Sequence, residues 1–334
     1  MKNVVRFGLP QGGIWNLPKG VVPLAVPPFE NKVLQELYKI CMKPSTPMTI
    51  AVVYFSMVHL SNKIVRQRQL RKAAQEKKVD SKSKLGKKEM KRLPAAPYAV
   101  AQMPLFNIFV FLHNVFLCVY SVWTFVGMCG SLYRNVQLIK PLTSSPSRVQ
   151  NFFQTVCDLK YGSFSNTHDF DSLQLFGFWF YVSKFYEVID TAIILLKGKP
   201  SSLLQSYHHA GAMLCMWAGI RYQSPPIWIF VVFNSFIHSL MYFYFSLACL
   251  KIRVPSIFKR ALTSLQITQF VVGGSLAVVH AFVWYTDFST SNLVNCISSS
   301  DQALPLIINV AYLAPLTALF AAFYIESYMK KTSK

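Results

Sequence analysis

The sequence predicts an all-α integral membrane protein of seven transmembrane helices. Three observations predict it. Of 334 residues, 53% are apolar and only 14% charged, against about 25% charged in soluble domains. The net charge is +21, and the basic residues lie between apolar stretches rather than among them: twelve fall within residues 66–92, against three acids. Finally, seven stretches approach the roughly 20 apolar residues that cross a bilayer. A basic chain invites a nucleic-acid reading, but this distribution is that of membrane spans with basic cytosolic loops, so the bilayer and not nucleic acid is the expected partner.

Residues 1–45 hold no continuous apolar run, so no cleavable signal peptide is expected, and they read as a lumenal segment. The membrane domain covers residues 46–325. Its first span, 46–65, starts sharply at Pro47 and has a short apolar core, Met48 to Leu60. The basic loop 66–98 follows, read as solvated and touching anionic lipid headgroups. The remaining spans are 99–127, 170–196, 202–220, 225–249, 262–285 and 304–325, and residues 326–334 form a tail. With alternating loops, one side collects 21 Lys and Arg and the other 11. The positive-inside rule then puts the N-terminus in the lumen and the C-terminus in the cytosol. Cys157 and Cys296 both fall in lumenal loops, where an oxidising compartment permits a disulfide.

Ionisable residues inside spans are costly and need a partner or a task. The third span carries Lys184, Glu187 and Asp190; Lys184, Glu187 and Thr191 share a helical face, and Asp190 lies beside it. Buried charge pairing is the plain reading of that segment. The fourth span places Gln205, His208 and His209 at i, i+3 and i+4. In the fifth, Asn234, His238, Met241 and Tyr242 form one stripe, and the sixth opens with Gln266 and Gln269 a turn apart, as interhelical glue would. At about 1.5 Å per residue, His208 and Asp190 lie roughly 9 Å inside the cytosolic boundary and His238 roughly 18 Å. These positions define one polar chamber in the cytosolic half of the bilayer, above nearly all-apolar lumenal halves. The arrangement suits an amphiphile whose head enters from the cytosol.

The motifs resemble those of the fatty-acid elongase (ELO) family of endoplasmic-reticulum 3-ketoacyl-CoA synthases. Four boxes occur in order: KxxExxDT as Lys184 to Thr191, HxxHH as Gln205 to His209, HxxMYxYY as His238 to Phe245, and TxxQxxQ as Thr263 to Gln269. Two positions depart from the pattern, Gln205 for the first histidine and Phe245 for the last tyrosine. The QxxHH form resembles elongases acting on polyunsaturated chains. The resemblance implies that six or seven of the helices enclose an apolar acyl tunnel, and it implies a condensation of a long-chain acyl-CoA with malonyl-CoA, giving a 3-ketoacyl-CoA, CO2 and CoA.

It implies further that His208, His209 and His238 are catalytic. Lys184, Glu187, Asp190, Gln205, Asn234, Met241, Tyr242, Tyr244, Gln266 and Gln269 would bind substrate or shape the site. A neutral imidazole, the main form at pH 7 for a pKa of about 6.5, is a competent nucleophile toward a thioester, and His208 is the expected one. Direct condensation with the same histidines as acid and base is the alternative. Lys251, Arg253, Lys259 and Arg260 are candidates for CoA phosphates, or else topology-setting charges.

No bound cofactor and no metal are expected, since the rival reading, a histidine-box di-iron desaturase, needs about eight histidine ligands in several boxes and the chain has seven histidines, four of them scattered singly: His59, His113, His168 and His280. A seven-helix receptor or a transporter fits the topology but not the paired histidines and carboxylates. The elongation partners would be a ketoacyl-CoA reductase, a hydroxyacyl-CoA dehydratase and an enoyl-CoA reductase, together with a second copy of the chain. The family picture adds weight to a Cys157–Cys296 disulfide. Lys330 to Lys334 resemble a dilysine retrieval signal one residue out of register.

Overall fold

The computed structural model describes residues 5–18, 20–76, 87–139, 147–160, 162 and 173–329. Lys77, Lys78, Lys82 and Lys84 of the basic loop, His168 and the dilysine-like tail lie outside the described residues. Eleven helices and three short strands are described: β1 (Val5–Phe7), α1 (Lys32–Cys41), α2 (Ser45–Gln75), α3 (Lys87–Arg92), α4 (Pro104–Leu138), α5 (Arg148–Cys157), α6 (Leu173–Tyr186), α7 (Val188–Leu196), α8 (Leu203–Arg221), α9 (Ile227–Cys249), α10 (Ser256–Val279), β2 (Val283–Thr286), β3 (Leu293–Asn295) and α11 (Ser300–Tyr324).

Five helices, α2, α4, α9, α10 and α11, are long and apolar enough to cross a membrane. α8 matches the expected span of 202–220 in extent but carries the polar run Gln205 to His209. The expected third span is divided: α6 ends at Tyr186, Glu187 makes a tight turn in which Asp190 N–H donates to its carbonyl, and α7 resumes at Val188. Elsewhere the boundaries moved for identifiable reasons. α2 runs ten residues past the expected 65 because its buried stripe continues through Val65, Gln69 and Ala73. The second span begins at Pro104, which occupies the first helical turn where its missing N–H costs nothing. α8 and α11 start on serine caps, Ser202 accepting from Gln205 N–H and Ser299 from Gln302 N–H.

The helices follow one another around the bundle as α2, α8, α11, α10, α9 and α4, with α6 packed against α8, α4 and α9, and α7 against α2. The largest buried cluster includes the place where α1 docks on α6 and α8: Gln174 donates to Tyr38 Oη (2.6 Å), Tyr181 to the Cys41 carbonyl (3.0 Å) and Trp217 to the Met42 carbonyl (3.0 Å). Large side chains on the outward faces, such as Phe109, Phe116 and Val126 of α4, are exposed, as a lipid-facing surface requires.

The two ends of the bundle differ. At one end β1, β2 and β3 form an antiparallel sheet, with Val5 opposite Tyr285 and Trp284 opposite Asn295. There Cys157 and Cys296 are joined by a disulfide with Cα atoms 4.9 Å apart. At the other end the basic extension of α2 is not merely solvated. Arg66 donates to the Met90 carbonyl, Lys72 to that of Ala95 and Arg68 to that of Pro97, so three cations hold the incoming segment against the bundle. That segment also pairs with the α7–α8 turn, Ala96 N–H to Gly198 O and Tyr98 N–H to Leu196 O. Gly198 has φ +71° and backbone atoms of Ala96 against the place a Cβ would take, so only glycine fits the turn.

Candidate active site

The polar residues of α6 to α10 meet near the basic-loop end of the bundle, around Glu187. The break between α6 and α7 presents its carboxylate inward, where Oε1 accepts from Lys184 Nζ (2.6 Å) and Ser183 Oγ (3.1 Å). Lys184 Nζ also donates to Asn234 Oδ1 (3.0 Å), tying α6 to α9. Both side chains of the ion pair are buried. A paired, hydrogen-bonded charge is tolerated there, whereas removal of one partner strands the other. Two imidazoles approach the same carboxylate, His238 Nδ1 at 3.7 Å from Oε1 and His209 Nδ1 at 3.9 Å from Oε2.

The three histidines are held differently. Gln205 Nε2 donates to His209 Nε2 (2.8 Å), leaving the His209 proton on Nδ1, toward Glu187. The hydroxyl of Tyr312, from α11, lies 3.0 Å from the His208 carbonyl oxygen and 2.9 Å from His208 Nδ1. Its single proton serves the carbonyl, so it accepts from Nδ1–H, and His208 Nε2 keeps its lone pair. The His208 ring sits 5.4 Å from that of His209 and 6.3 Å from that of His238, centroid to centroid.

Two cavities meet at His208. One, of about 700 Å3, is the more polar, gathering Asp190, Gln205, His209, His238, Tyr242 and Gln266 among apolar side chains such as Ile193 and Phe320, with Lys197 and Lys251 toward the basic-loop end. The other is a narrow apolar slot that begins at Lys184, Asn234 and Gln269 and is walled by Phe180, Met216, Phe230 and Phe233. His208 lines both.

Asp190 forms a second network on the wall of the polar cavity. Tyr242 Oη donates to Oδ2 (2.6 Å), His113 Nε2 lies 2.9 Å from Oδ1, and His113 Nδ1 lies 3.3 Å from Tyr186 Oη. Thr191, one residue on, bonds Tyr54 of α2 (2.8 Å). Of the other residues expected at the site, Gln266 donates to Met241 Sδ (3.7 Å) within the chamber, while Gln269 reaches the slot. Tyr244 stands apart, its ring tilted against that of Phe258 at 6.3 Å, with Lys259 Nζ 5.7 Å from its ring. Arg260 Nε donates to Tyr324 Oη (2.7 Å), and Arg253 is exposed on the α9–α10 connection. Among those four cations, Lys251 is the one that lines the cavity.

Sequence reasoning set His113 aside as an isolated histidine and passed over Tyr312, Tyr54 and Lys197. The signal for His113 was present: it is an ionisable side chain within the second span, the criterion applied to the other spans. Tyr312 carried only a hydroxyl in an apolar helix, a weaker sign.

The model of the ELO (GNS1/SUR4) family matches residues 39–334. Among curated proteins, the chain is 31% identical over 224 residues to a putative fatty acid elongase of Dictyostelium discoideum, covering 66% of each chain. It is 30% identical over 158 residues to fatty acid elongase 2 of Trypanosoma brucei brucei, covering 46% of this chain and 57% of that one. It is also 28% identical over 182 residues to human very long chain fatty acid elongase 3, covering 54% of this chain and 61% of that one. The chain thus spans 57% and 66% of the length of the first two relatives. No solved structure matches it.

Proposed function

The chain belongs to the ELO (GNS1/SUR4) family, and from that premise we propose that it is the condensing enzyme of fatty-acid elongation, joining a long-chain acyl-CoA to malonyl-CoA. The observation that carries this reading is the position of His208 where a polar cavity meets an apolar slot. A thioester placed there has its CoA in the cavity, its alkyl chain in the slot and its carbonyl beside the imidazole. Lys197 and Lys251 supply positive charge on the CoA side.

In the proposed reaction His208 Nε2 attacks the thioester carbonyl, the C–S bond breaks, and CoA leaves as the thiol with the proton the imidazole gives up. Malonyl-CoA then loses CO2, its enolate carbon takes the acyl group as the C–N bond to the imidazole breaks, and the departing imidazole regains its proton from solvent in the cavity. Asn234, whose Oδ1 is fixed by Lys184, supplies its amide N–H as a donor for the developing oxyanions. Closure of the slot by apolar side chains shields the acyl-imidazole from water. His208 is favoured over His209 because Gln205 occupies His209 Nε2 while nothing occupies that nitrogen of His208 among the described residues. The Gln205 form of the box supports a polyunsaturated chain as substrate. We place the protein in the endoplasmic-reticulum membrane as a seven-span chain, N-terminus and disulfide in the lumen and the basic loops in the cytosol, working with the reductases and dehydratase that complete the cycle.

The test is intact mass of the purified chain after rapid quenching with one acyl-CoA and no malonyl-CoA. An adduct of acyl mass, absent in His208→Ala, is expected. No adduct alongside malonyl-dependent CO2 release would replace the acyl-enzyme by direct condensation. Neither adduct nor CO2, across saturated and polyunsaturated acyl-CoAs, would overturn the elongation reading.

A further inference from the structure

The apolar slot descends from His208 toward the sheet end of the bundle; along α8 the eight residues to Met216 correspond to about 12 Å. Behind two of its wall residues stands a side chain from far away in sequence. Ile14, 2% exposed, sits in a cluster with Ile229 of α9, Ala277 of α10, and Ala303 and Leu306 of α11. Phe230 and Phe233, which wall the slot, pack on that same cluster.

Ile14 is placed by a strap that crosses the end of the bundle. β1 pairs with β2, Gly8 N–H donates to the Phe282 carbonyl, and Trp284 Nε1 donates to that of Leu9. A turn at Gly13, with φ +87°, follows, and Arg221 at the end of α8 donates to the Val22 and Pro23 carbonyls. The flanking side chains face outward: Leu9 and Leu17 are 83% and 81% exposed. Ile14 is therefore directed inward between two anchors. The strap precedes residue 39, where the match to the family model begins.

We propose that Ile14 is the floor of the acyl slot, so that the N-terminal strap sets the longest chain the protein accepts. This rests on the slot being the acyl site. Shortening Ile14 lets the Phe230 and Phe233 rings settle and deepens the slot; enlarging it raises the floor.

The full-length protein is tested with an even-numbered ladder of saturated acyl-CoAs, reading thermal stabilisation as a function of chain length. Ile14→Ala, which removes three carbons from the cluster, is expected to move the optimum up by about two carbons. Ile14→Val moves it in the same direction by less, and serves if the alanine variant folds poorly; Ile14→Phe moves it down. Leu17→Ala, on the outer face of the strap, leaves it in place. An optimum unchanged in Ile14→Val and Ile14→Phe, an equal shift in Leu17→Ala, or a wild type indifferent to chain length overturns the proposal. Malonyl-dependent product is measured separately: its absence from the wild type overturns the elongation reading while the ladder still decides the role of Ile14.

Discussion

The hydroxyl of Tyr312 touches His208 twice, 2.9 Å from Nδ1 and 3.0 Å from the carbonyl oxygen of the same residue. A single side chain thereby fixes both the ring orientation and its tautomer, from a helix more than one hundred residues along the chain. Tyr312→Phe removes both hydrogen bonds, each worth about 1 kcal/mol, so kcat for condensation is expected to fall by about five- to thirtyfold, with KM for malonyl-CoA little changed. Steady-state kinetics check this. An unchanged kcat would mean that the tautomer is set by other groups.

The Lys184–Glu187 pair holds the break between α6 and α7. Lys184→Met leaves the Glu187 carboxylate buried beside two imidazoles, and is expected to destabilise by about 3–5 kcal/mol. The double variant Lys184→Met with Glu187→Gln recovers most of this. Thermal unfolding in detergent distinguishes the outcomes, and equal losses in single and double variants would count against a buried ion pair.

Asp190 links Tyr242 on one oxygen to His113 on the other, which predicts coupling between residues 77 apart in sequence. His113→Ala and Asp190→Asn should each lower activity, while the double variant costs less than their sum, with an interaction of about 0.5–3 kcal/mol. Additive losses would show that His113 acts elsewhere.

Outside the membrane, Asp287 closes the β2–β3 turn. Burial alone would raise its pKa, but bonds from Thr290, the Ser289 side chain and N–H, and Gln154 outweigh this and hold it below its ordinary 3.8. A carboxylate depressed on folding stabilises above its unfolded pKa of about 3.9, and that stabilisation is lost as pH falls through the folded value. Hydrogen exchange at Ser289 and Ser291 should therefore be protected equally at pH 7 and pH 5 after correction for intrinsic rates, and lose protection below about pH 4. Asp287→Asn should abolish the dependence.

The helices and most of the chamber were legible because they are written in local spacing. Gln205, His208 and His209 fall on one face of α8 whatever surrounds them, and depth from the span ends brings them level with Asp190 and Gln266. What spacing on one helix cannot encode is a partner on another. His113, Tyr312 and Tyr54 belong to the site only because α4, α11 and α2 close around α6 and α7. The interruption at Glu187 was hidden for the same reason, since it is a response to Lys184, Ser183 and the facing imidazoles rather than to a helix-breaking residue. The strap around Ile14, rich in proline and glycine, has no periodicity to read.

The disulfide between Cys157 and Cys296, 139 residues apart, makes the catalytic stretch of the polypeptide a covalent ring. Lys184, Glu187, Asp190 and all three chamber histidines are inside it, while Tyr312, His113 and Ile14 reach in from the two linear arms. A protease that nicks the exposed α9–α10 connection therefore severs a circle and not a line. The product migrates as one species until a reductant is added, and the site remains tethered at its far end even when its near end has been cut.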